Sequence, residues 1–328
     1  MTGAEDLALL DRRLLVVTGK GGVGKSTVAA ALALLAASRG KRTAVVEVSG
    51  RDDISRMFGA ASADPFHELT LGEHLLHVTV DPEHALHEYL ADQLPVRAMA
   101  EVLERSRAFA YLTAATPGLR ELLTFGKVWE LAQDPRRTPG ASPYDLVVLD
   151  APATGHAVAM LESSRTFADA ARVGPIARQG RTITEMVVDA HRTAVVAVTT
   201  AEELPVTETL TLRDAARRAT GHDPALVVVN AVRPDRLTAA DVRVLEAARA
   251  RTRERSVAAP ITAALRANET AREHRAQIAR LRRGLGGDLP LVTLPFSRGG
   301  DLSPDDLRAF ARILARRSGV VRTSAVAA

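Results

Sequence analysis

The sequence contains no cysteine, and this absence excludes several kinds of chemistry. Without thiols the chain can form no disulfide bond, no thiolate nucleophile and no zinc ribbon. No apolar run reaches the ~20 residues that a membrane-spanning helix needs, since the longest covers only residues 28–37. The first residues, MTGAEDLALLDRR, lack the layout of a signal peptide. We therefore expect a cytoplasmic protein that uses no zinc.

A strong charge of one sign is also lacking. The chain has 43 lysines and arginines against 39 aspartates and glutamates, a net charge of +4, with no compact cationic block. A nucleic-acid partner is therefore not expected. What is present is the composition of an ordinary folded protein, with 328 residues of which 46% are hydrophobic and 25% charged.

Runs of β-branched and apolar residues alternate with segments of helical periodicity through most of the chain. This pattern is typical of βαβ units. We expect an α/β fold in one domain over residues 1–328, with a doubly wound, mostly parallel seven-stranded sheet. The predicted strands are 14–18, 43–48, 75–80, 144–149, 194–199, 225–229 and 289–294.

The segment between the third and fourth predicted strands, residues 81–143, is much longer than the dozen or so residues that a crossover needs. Its apolar residues, which include the only tryptophan, Trp129, recur at helical spacing. We expect a helical insertion subdomain, which a second helical stretch at 164–190 could join. Apolar stripes of this kind favour a self-packed subdomain over an open groove.

The first predicted strand runs directly into GKGGVGKST and then into a helix rich in Ala and Leu. This is a GxxxxGK[ST] P-loop in its strand–loop–helix context. Glycines let backbone N–H groups converge on phosphates. Lys25 is expected to contact the β- and γ-phosphates, and the Ser26 hydroxyl is expected to bind Mg²⁺. The motif predicts a P-loop NTPase with ATP and Mg²⁺ as its ligands. The predicted nucleotide-binding residues are Gly19, Gly21, Gly22, Val23, Gly24, Lys25, Ser26 and Thr27.

Lys20, directly after the first glycine, adds a second signal. The form KGGVGKST resembles the deviant Walker A motif of the class that includes partition ATPases, nitrogenase iron proteins, and the arsenite-pump and tail-anchor-targeting ATPases. In that class the extra lysine crosses a dimer interface to the partner's nucleotide. The resemblance implies a catalytic role for Lys20 and Lys25 in a homodimer or in a heterodimer with a paralogous ATPase.

The fourth predicted strand leads into DAPATGH at residues 150–156. An acidic residue at the carboxyl end of a strand beside the P-loop strand is where a Mg²⁺-associated carboxylate belongs, so Asp150 is a candidate catalytic residue and metal ligand with Ser26. The stretch resembles the DTAPTGH signature of the ArsA/GET3 ATPases, with Asp150, Thr154, Gly155 and His156 matching. The resemblance implies that Gly155 senses the γ-phosphate.

Two further strand ends extend the resemblance to the ArsA/GET3 family. Asn230 closes LVVVN, and Pro295 and Phe296 close LPLVTLP. The resemblance implies that these strand ends frame the adenine, whose edge an amide can pair with.

Switch I departs from the family pattern. ArsA/GET3 relatives carry an Asp-Pro-Ala-His-Asn type sequence after the second strand, and its Asp positions the attacking water. Here the corresponding residue is Ser49, and Glu47, Asp52 or Asp53 could substitute. The VEVxGR form is similar to that of actinobacterial ArsA/GET3-like proteins, among them the paralogue with a degenerate switch I. We therefore expect an ATPase that is weak alone.

The leading hypothesis is a dimeric ATP-hydrolysing switch protein of the ArsA/GET3 type. Its nucleotide state would be coupled to a hydrophobic protein client or a membrane-protein partner. Two alternatives remain open: a partition-type ATPase that cycles on a membrane or nucleoid, and a non-hydrolysing ATP-binding subunit of a hetero-oligomer. The lack of cysteine disfavours the thiolate arsenite site and the zinc-binding CxxC pair that some relatives use.

Overall fold

A computed structural model of the chain describes residues 9–48, 52–61, 64–93, 118–138, 140–171, 175–287, 289–297 and 302–316. Across these residues, strands and helices alternate as the hydrophobic pattern predicts. The strands are β1 (Leu14–Gly19), β2 (Thr43–Val48), β3 (Leu69–Gly72), β4 (Leu75–Val80), β5 (Leu146–Ala153), β6 (Thr193–Thr200), β7 (Leu226–Val232) and β8 (Leu291–Pro295).

The strands form one sheet in the order β3-β4-β2-β5-β1-β6-β7-β8. All neighbouring pairs are parallel except β3 and β4. The α/β doubly wound class is confirmed, but the prediction of seven strands is wrong. The missed strand, β3, has four residues, alternates between exposed and half-buried positions at the sheet edge, and turns tightly into β4. So short an edge strand lacks the apolar run by which the seven others are recognised.

Ten helices are described. They are α1 (Lys25–Ala37), α2 (Asp53–Met57), α3 (Pro82–Gln93), α4 (Leu119–Leu131), α5 (Thr154–Ala171), α6 (Pro175–Val188), α7 (Glu203–Thr220), α8 (Ala239–Arg251), α9 (Arg255–Gly284) and α10 (Pro304–Ala315).

The helices cover both faces of the sheet. Helices α1 and α10 pack on one face, where α1 is buried over nearly all of its length. Helices α4 to α7 and α9 cover the opposite face. A parallel sheet buried on both faces explains why the central strands are continuous apolar runs rather than alternating ones.

Two described helices, α3 and α4, lie in the segment where the sequence predicts a helical insertion, and residues 94–117 of that prediction lie outside the described part. The Lys127 ammonium joins these helices, with Nζ 2.5 Å from Glu88 Oε1 and 3.3 Å from Glu130 Oε2. The apolar side of α4, including Trp129, is buried in the core beside the sheet. The helical stretch predicted at 164–190 corresponds to α5 and α6, which pack together and begin earlier, at Thr154.

Within the described ranges, no helix combines the length and apolar character that crossing a membrane requires.

Candidate nucleotide-binding site

The P-loop follows the central strand β1, which lies between β5 and β6. The loop ends where α1 begins at Lys25, so the first backbone N–H groups of α1 face the loop's concave side. Val23 is buried in the core and anchors the loop from below. At Gly19 an added Cβ would lie 2.0 Å from the carbonyl oxygen of Val198, so only glycine fits where β1 passes β6.

Asn230, at the carboxyl end of β7, contacts the P-loop. Its side-chain Nδ2 donates a hydrogen bond of 3.0 Å to the carbonyl oxygen of Val23. Gly24 has a left-handed φ of 88°, and a Cβ there would lie 2.1 Å from the same Nδ2. The amide predicted to contact adenine therefore also braces the phosphate-binding loop.

Ser26 and Asp150 meet beneath the loop. The Ser26 hydroxyl donates a hydrogen bond of 2.5 Å to Asp150 Oδ2. Asp150 is 7% exposed, and its other oxygen, Oδ1, has no hydrogen-bond partner in the described part of the chain. Burial raises the pKa of Asp150 to about 6, helped by the negative charge of Glu47 and opposed by the Ser26 hydrogen bond. A buried carboxylate with an unused oxygen beside a hydroxyl is a donor set that fits Mg²⁺.

The two P-loop lysines have different surroundings. Lys25 Nζ donates a hydrogen bond of 3.2 Å to the backbone carbonyl of Lys20, which folds it over its own loop. Lys20 forms an ion pair with Glu208 of α7, with 2.7 Å between Nζ and Oε1. Both partners are about one-third exposed. Sequence patterns gave no signal for Glu208, because its partner lies 188 residues away.

Glu47 is the charged residue that sequence reasoning left without a firm role. It is buried in β2, and its Oε1 and Oε2 accept the backbone N–H groups of Asp53 and Ile54 at 3.0 and 3.3 Å. His77 Nε2 of β4 lies 3.1 Å from Glu47 Oε2. Glu47 therefore holds the start of α2, the segment that follows the switch I position. Ser49 itself lies outside the described residues.

The adenine-framing residues of the sequence prediction lie at one edge of the sheet. Pro295 of β8 pairs with Val232 of β7, and the Phe296 backbone N–H donates to the Val232 carbonyl at 3.1 Å. The Arg233 guanidinium stacks on the Phe296 ring, 3.6 Å from its centroid. Phe296 is 39% exposed, so its ring is accessible at this edge. Their role toward adenine stays a prediction.

Thr154 and Gly155 form the first turn of α5, directly after β5. Thr154 Oγ1 is buried and has no hydrogen-bond partner in the described chain. Gly155 lines a cavity of about 470 Å³ between α5 and α7, whose rim includes Glu208. Thr154 and Gly155, where the sequence predicts a γ-phosphate sensor, therefore share one surface with the partner of Lys20.

Among the described residues, no cluster of three or more histidines and acidic residues is arranged to hold a metal ion.

The geometry is that of a P-loop fold with a doubly wound sheet. The family model described as anion-transporting ATPase matches residues 12–173. Over 205 residues the chain is 37% identical to ATPase BagA of Mycobacterium tuberculosis, a match that covers 60% of this chain and 59% of that relative. It is 26% identical over 178 residues to ATPase GET3 of Kluyveromyces lactis, covering 50% and 51% of the two chains.

A third relative is the arsenical pump-driving ATPase of Acidiphilium multivorum, 26% identical over 149 residues, which are 45% of this chain and 25% of that protein. The chain thus spans about three fifths of the length of ATPase BagA and a smaller share of the other two relatives. Residues 12–173 therefore resemble the anion-transporting ATPase family, and the relatives that the chain matches include an actinobacterial ATPase.

The contact between Gly24 and Asn230 generates a stability prediction. Gly24→Ala should destabilise the protein by more than Gly40→Ala, since Gly40 has a similar left-handed φ of 78° but open space around it. The Gly40 variant isolates the backbone cost of about 1–2 kcal/mol for an L residue in that conformation. In an Asn230→Ala background, Gly24→Ala should lower the unfolding free energy measured in urea by less than it does in the wild type, because the clash with the amide is gone. An equal loss of unfolding free energy from Gly24→Ala with and without the Asn230 amide would contradict the contact.

Asp150 generates a second prediction. Its folded-state pKa lies above the ordinary value of 3.8, so its charge costs stability increasingly as pH rises from about 4 to about 6. A pKa raised from 3.8 to about 6 corresponds to about 3 kcal/mol. Asp150→Asn should therefore raise the unfolding free energy of the nucleotide-free protein at pH 8 and much less at pH 4.5. Asp214→Asn, exposed on α7, is the matched control. If Asp150→Asn instead lowers the unfolding free energy at pH 8, the claim that the Asp150 charge destabilises the nucleotide-free protein is wrong.

Proposed function

We propose that this chain binds ATP and Mg²⁺ at the P-loop and hydrolyses the nucleotide as a dimeric switch protein of the ArsA/GET3 type. The observation that carries the proposal is the pairing of Ser26 with Asp150. A carboxylate that is costly to bury and has an unused oxygen points to a cation as its partner. Mg²⁺ is bound in such sites by one or two protein ligands together with phosphate oxygens.

The residues around this pair divide the work on the phosphates. Backbone N–H groups of the P-loop and of the first turn of α1 would receive the phosphate oxygens, and Lys25 would supply a positive charge to the β- and γ-phosphates. Ser26 and Asp150 would hold Mg²⁺, which when bound offsets charge on the phosphates during transfer. Lys20, Lys25 and Asp150 are the proposed catalytic residues, and Gly155 is the proposed sensor of the γ-phosphate.

The adenine would lie at the edge formed by Asn230, Pro295 and Phe296. This is supported by the side-by-side register of β7 and β8 and by the exposed ring of Phe296. The Arg233 guanidinium stacks on one face of the Phe296 ring. To stack on that same face, the adenine would have to displace the guanidinium or lie between it and the ring. The Asn230 amide would serve the base and the P-loop together.

Water positioning is the weak point of this catalytic set. Glu47 is unsuited to orient the attacking water, because the residue is 2% exposed and its carboxylate is already hydrogen-bonded to two backbone N–H groups at the start of α2. Asp52 and Asp53, at the start of α2, are the remaining acidic candidates. We therefore propose that the isolated chain hydrolyses ATP slowly. Loss of one positioned catalytic group costs on the order of 10²-fold or more.

A dimer would complete the site. Lys20 pairs with Glu208 of α7, whereas Lys25 folds over the loop, and we propose that Lys20 acts on the nucleotide of a partner, either a second copy or a paralogous ATPase. Nucleotide state would then set the relation of the two subunits and of helices α3 to α6. The proposed readers of that state are a hydrophobic protein client or a membrane-protein partner.

Lys25→Ala tests the nucleotide site directly. The variant should lose detectable binding of ATP and Mg²⁺ in calorimetry, because the lysine supplies the charge that a set of neutral amides lacks. Lys41→Ala, beyond the far end of α1 and paired with Asp11, should bind like the wild type. ATP affinity that is unchanged by Lys25→Ala would refute the site.

The Lys20–Glu208 pair generates a prediction for the dimer. Lys20→Ala should keep the ATP affinity of the monomer and lose ATP-dependent dimerisation and turnover. Glu208→Gln should release Lys20 and shift dimerisation to lower concentration, by no more than about fivefold since an exposed ion pair contributes at most about 1 kcal/mol. Glu203→Gln, exposed at the start of the same helix, is the control. Sedimentation velocity with and without ATP measures the shift, and equal loss of ATP affinity and dimerisation in Lys20→Ala would place Lys20 in its own subunit's site.

A further inference from the structure

Helices α8 and α9 form a hairpin that projects from the ATPase core. No residue of α8 is buried. The buried residues of α9 begin at Asn268, so none of its first 13 residues, 255–267, is buried. At 1.5 Å per residue this part of α9 is about 20 Å long. The hairpin also lies beyond the segment that the family model matches.

The tip of this hairpin is rich in arginine, so the expectation that the chain has no compact cationic block is wrong here. Arg249, Arg251, Arg253 and Arg255 alternate with other residues where α8 ends and α9 begins. No ion pair to any of the four guanidinium groups is found in the described part of the chain. Glu254, the acidic residue between them, accepts a hydrogen bond from Ser256. The Glu254 carboxylate keeps its negative charge, so the four arginines leave the tip with a net positive charge.

Apolar side chains accompany these arginines. Val257, two residues after Arg255, is 44% exposed, and Val244 on α8 is 67% exposed. They are two of the four large hydrophobic residues that are exposed among the described residues; the others are Leu204 and Phe296. Arginine combined with exposed aliphatic side chains on a convex helical surface suits the headgroup region of an anionic bilayer, where both can be satisfied.

Nucleic acid also attracts arginine but is less well matched. Bases are bound by stacking on aromatic side chains, and the chain has no Phe, Tyr or Trp between Phe167 and Phe296. Charges farther from the tip than the Debye length of ~8 Å at physiological salt are largely screened there. The near-neutral overall charge of the chain therefore does not weaken attraction at the hairpin.

We propose that the α8–α9 hairpin tip docks this protein on anionic lipid membranes, through Arg249, Arg251, Arg253 and Arg255 with Val257 inserting among the headgroups. The proposal adds a membrane-surface contact to the nucleotide chemistry and stands on the hairpin alone, whether or not the chain hydrolyses ATP. The contact is peripheral and reversible, and it weakens as salt screens the arginines.

Flotation of the full chain with vesicles tests the proposal. Wild-type protein should float with an equal mixture of phosphatidylglycerol and phosphatidylcholine, and not with phosphatidylcholine alone. Changing all four tip arginines to Gln should reduce binding at least tenfold, since each arginine near an anionic surface strengthens binding by roughly fivefold. The matched control changes Arg217, Arg218, Arg282 and Arg283 to Gln. These four arginines lie in the last turns of α7 and α9, and changing them removes the same amount of positive charge as the tip variant does.

The outcomes separate the alternatives. Binding lost only in the tip variant, with an unchanged melting temperature, supports the hairpin. Equal loss in tip and control variants, or none in either, overturns it. Val257→Ser should weaken vesicle binding severalfold without changing its salt dependence, whereas Leu204→Ser on α7 should not. Tighter binding of a single-stranded oligonucleotide than of anionic vesicles at the same salt would identify nucleic acid instead and overturn the proposal.

Discussion

The carboxylate of Asp150 is the constraint around which the rest of the site is arranged. It lies in the centre of the sheet, where β5 runs between β1 and β2, and strand register sets it beside Val17 and Glu47. Ser26 offers one hydrogen bond, and the second oxygen has none in the described structure. The fold therefore keeps a charge that is costly at neutral pH directly under its phosphate-binding loop. If Asp150 binds a cation as proposed, stability is given up at this position for that function.

A second buried acid extends this arrangement toward the sheet edge. Glu47 neighbours Asp150 in register, accepts the first N–H groups of α2 and contacts His77. Its charge is also among the causes that raise the pKa of Asp150. The segment after β2 is thus hydrogen-bonded to Glu47, the neighbour in the sheet of Asp150, which lies under the P-loop. A change of charge at Asp150 would therefore be felt at the start of α2, which is a physical route from the nucleotide to the region of switch I.

Much of this architecture could be predicted from local patterns, and the rest depends on distant contacts. Apolar strand runs and the P-loop motif predicted the doubly wound sheet, the position of β1 and the closeness of Ser26 to Asp150. The edge strand β3 was missed because four residues are too short a run for their alternation to indicate a strand. Glu208 was missed because only folding brings α7 to Lys20. A lone glutamate in the apolar strand TAVVEV was the signal for Glu47, but its hydrogen bonds to α2 depend on a turn that the sequence leaves open.

The central claim is that Asp150 and Ser26 form the protein's share of a Mg²⁺ site under the P-loop. Calorimetric titration of ATP with and without Mg²⁺, in wild type and Asp150→Asn, tests it most directly. The account predicts that Mg²⁺ tightens ATP binding by the wild type, and that Asp150→Asn loses most of this gain while its binding of ATP without Mg²⁺ is equal or tighter. An identical gain from Mg²⁺ in both proteins would contradict the account.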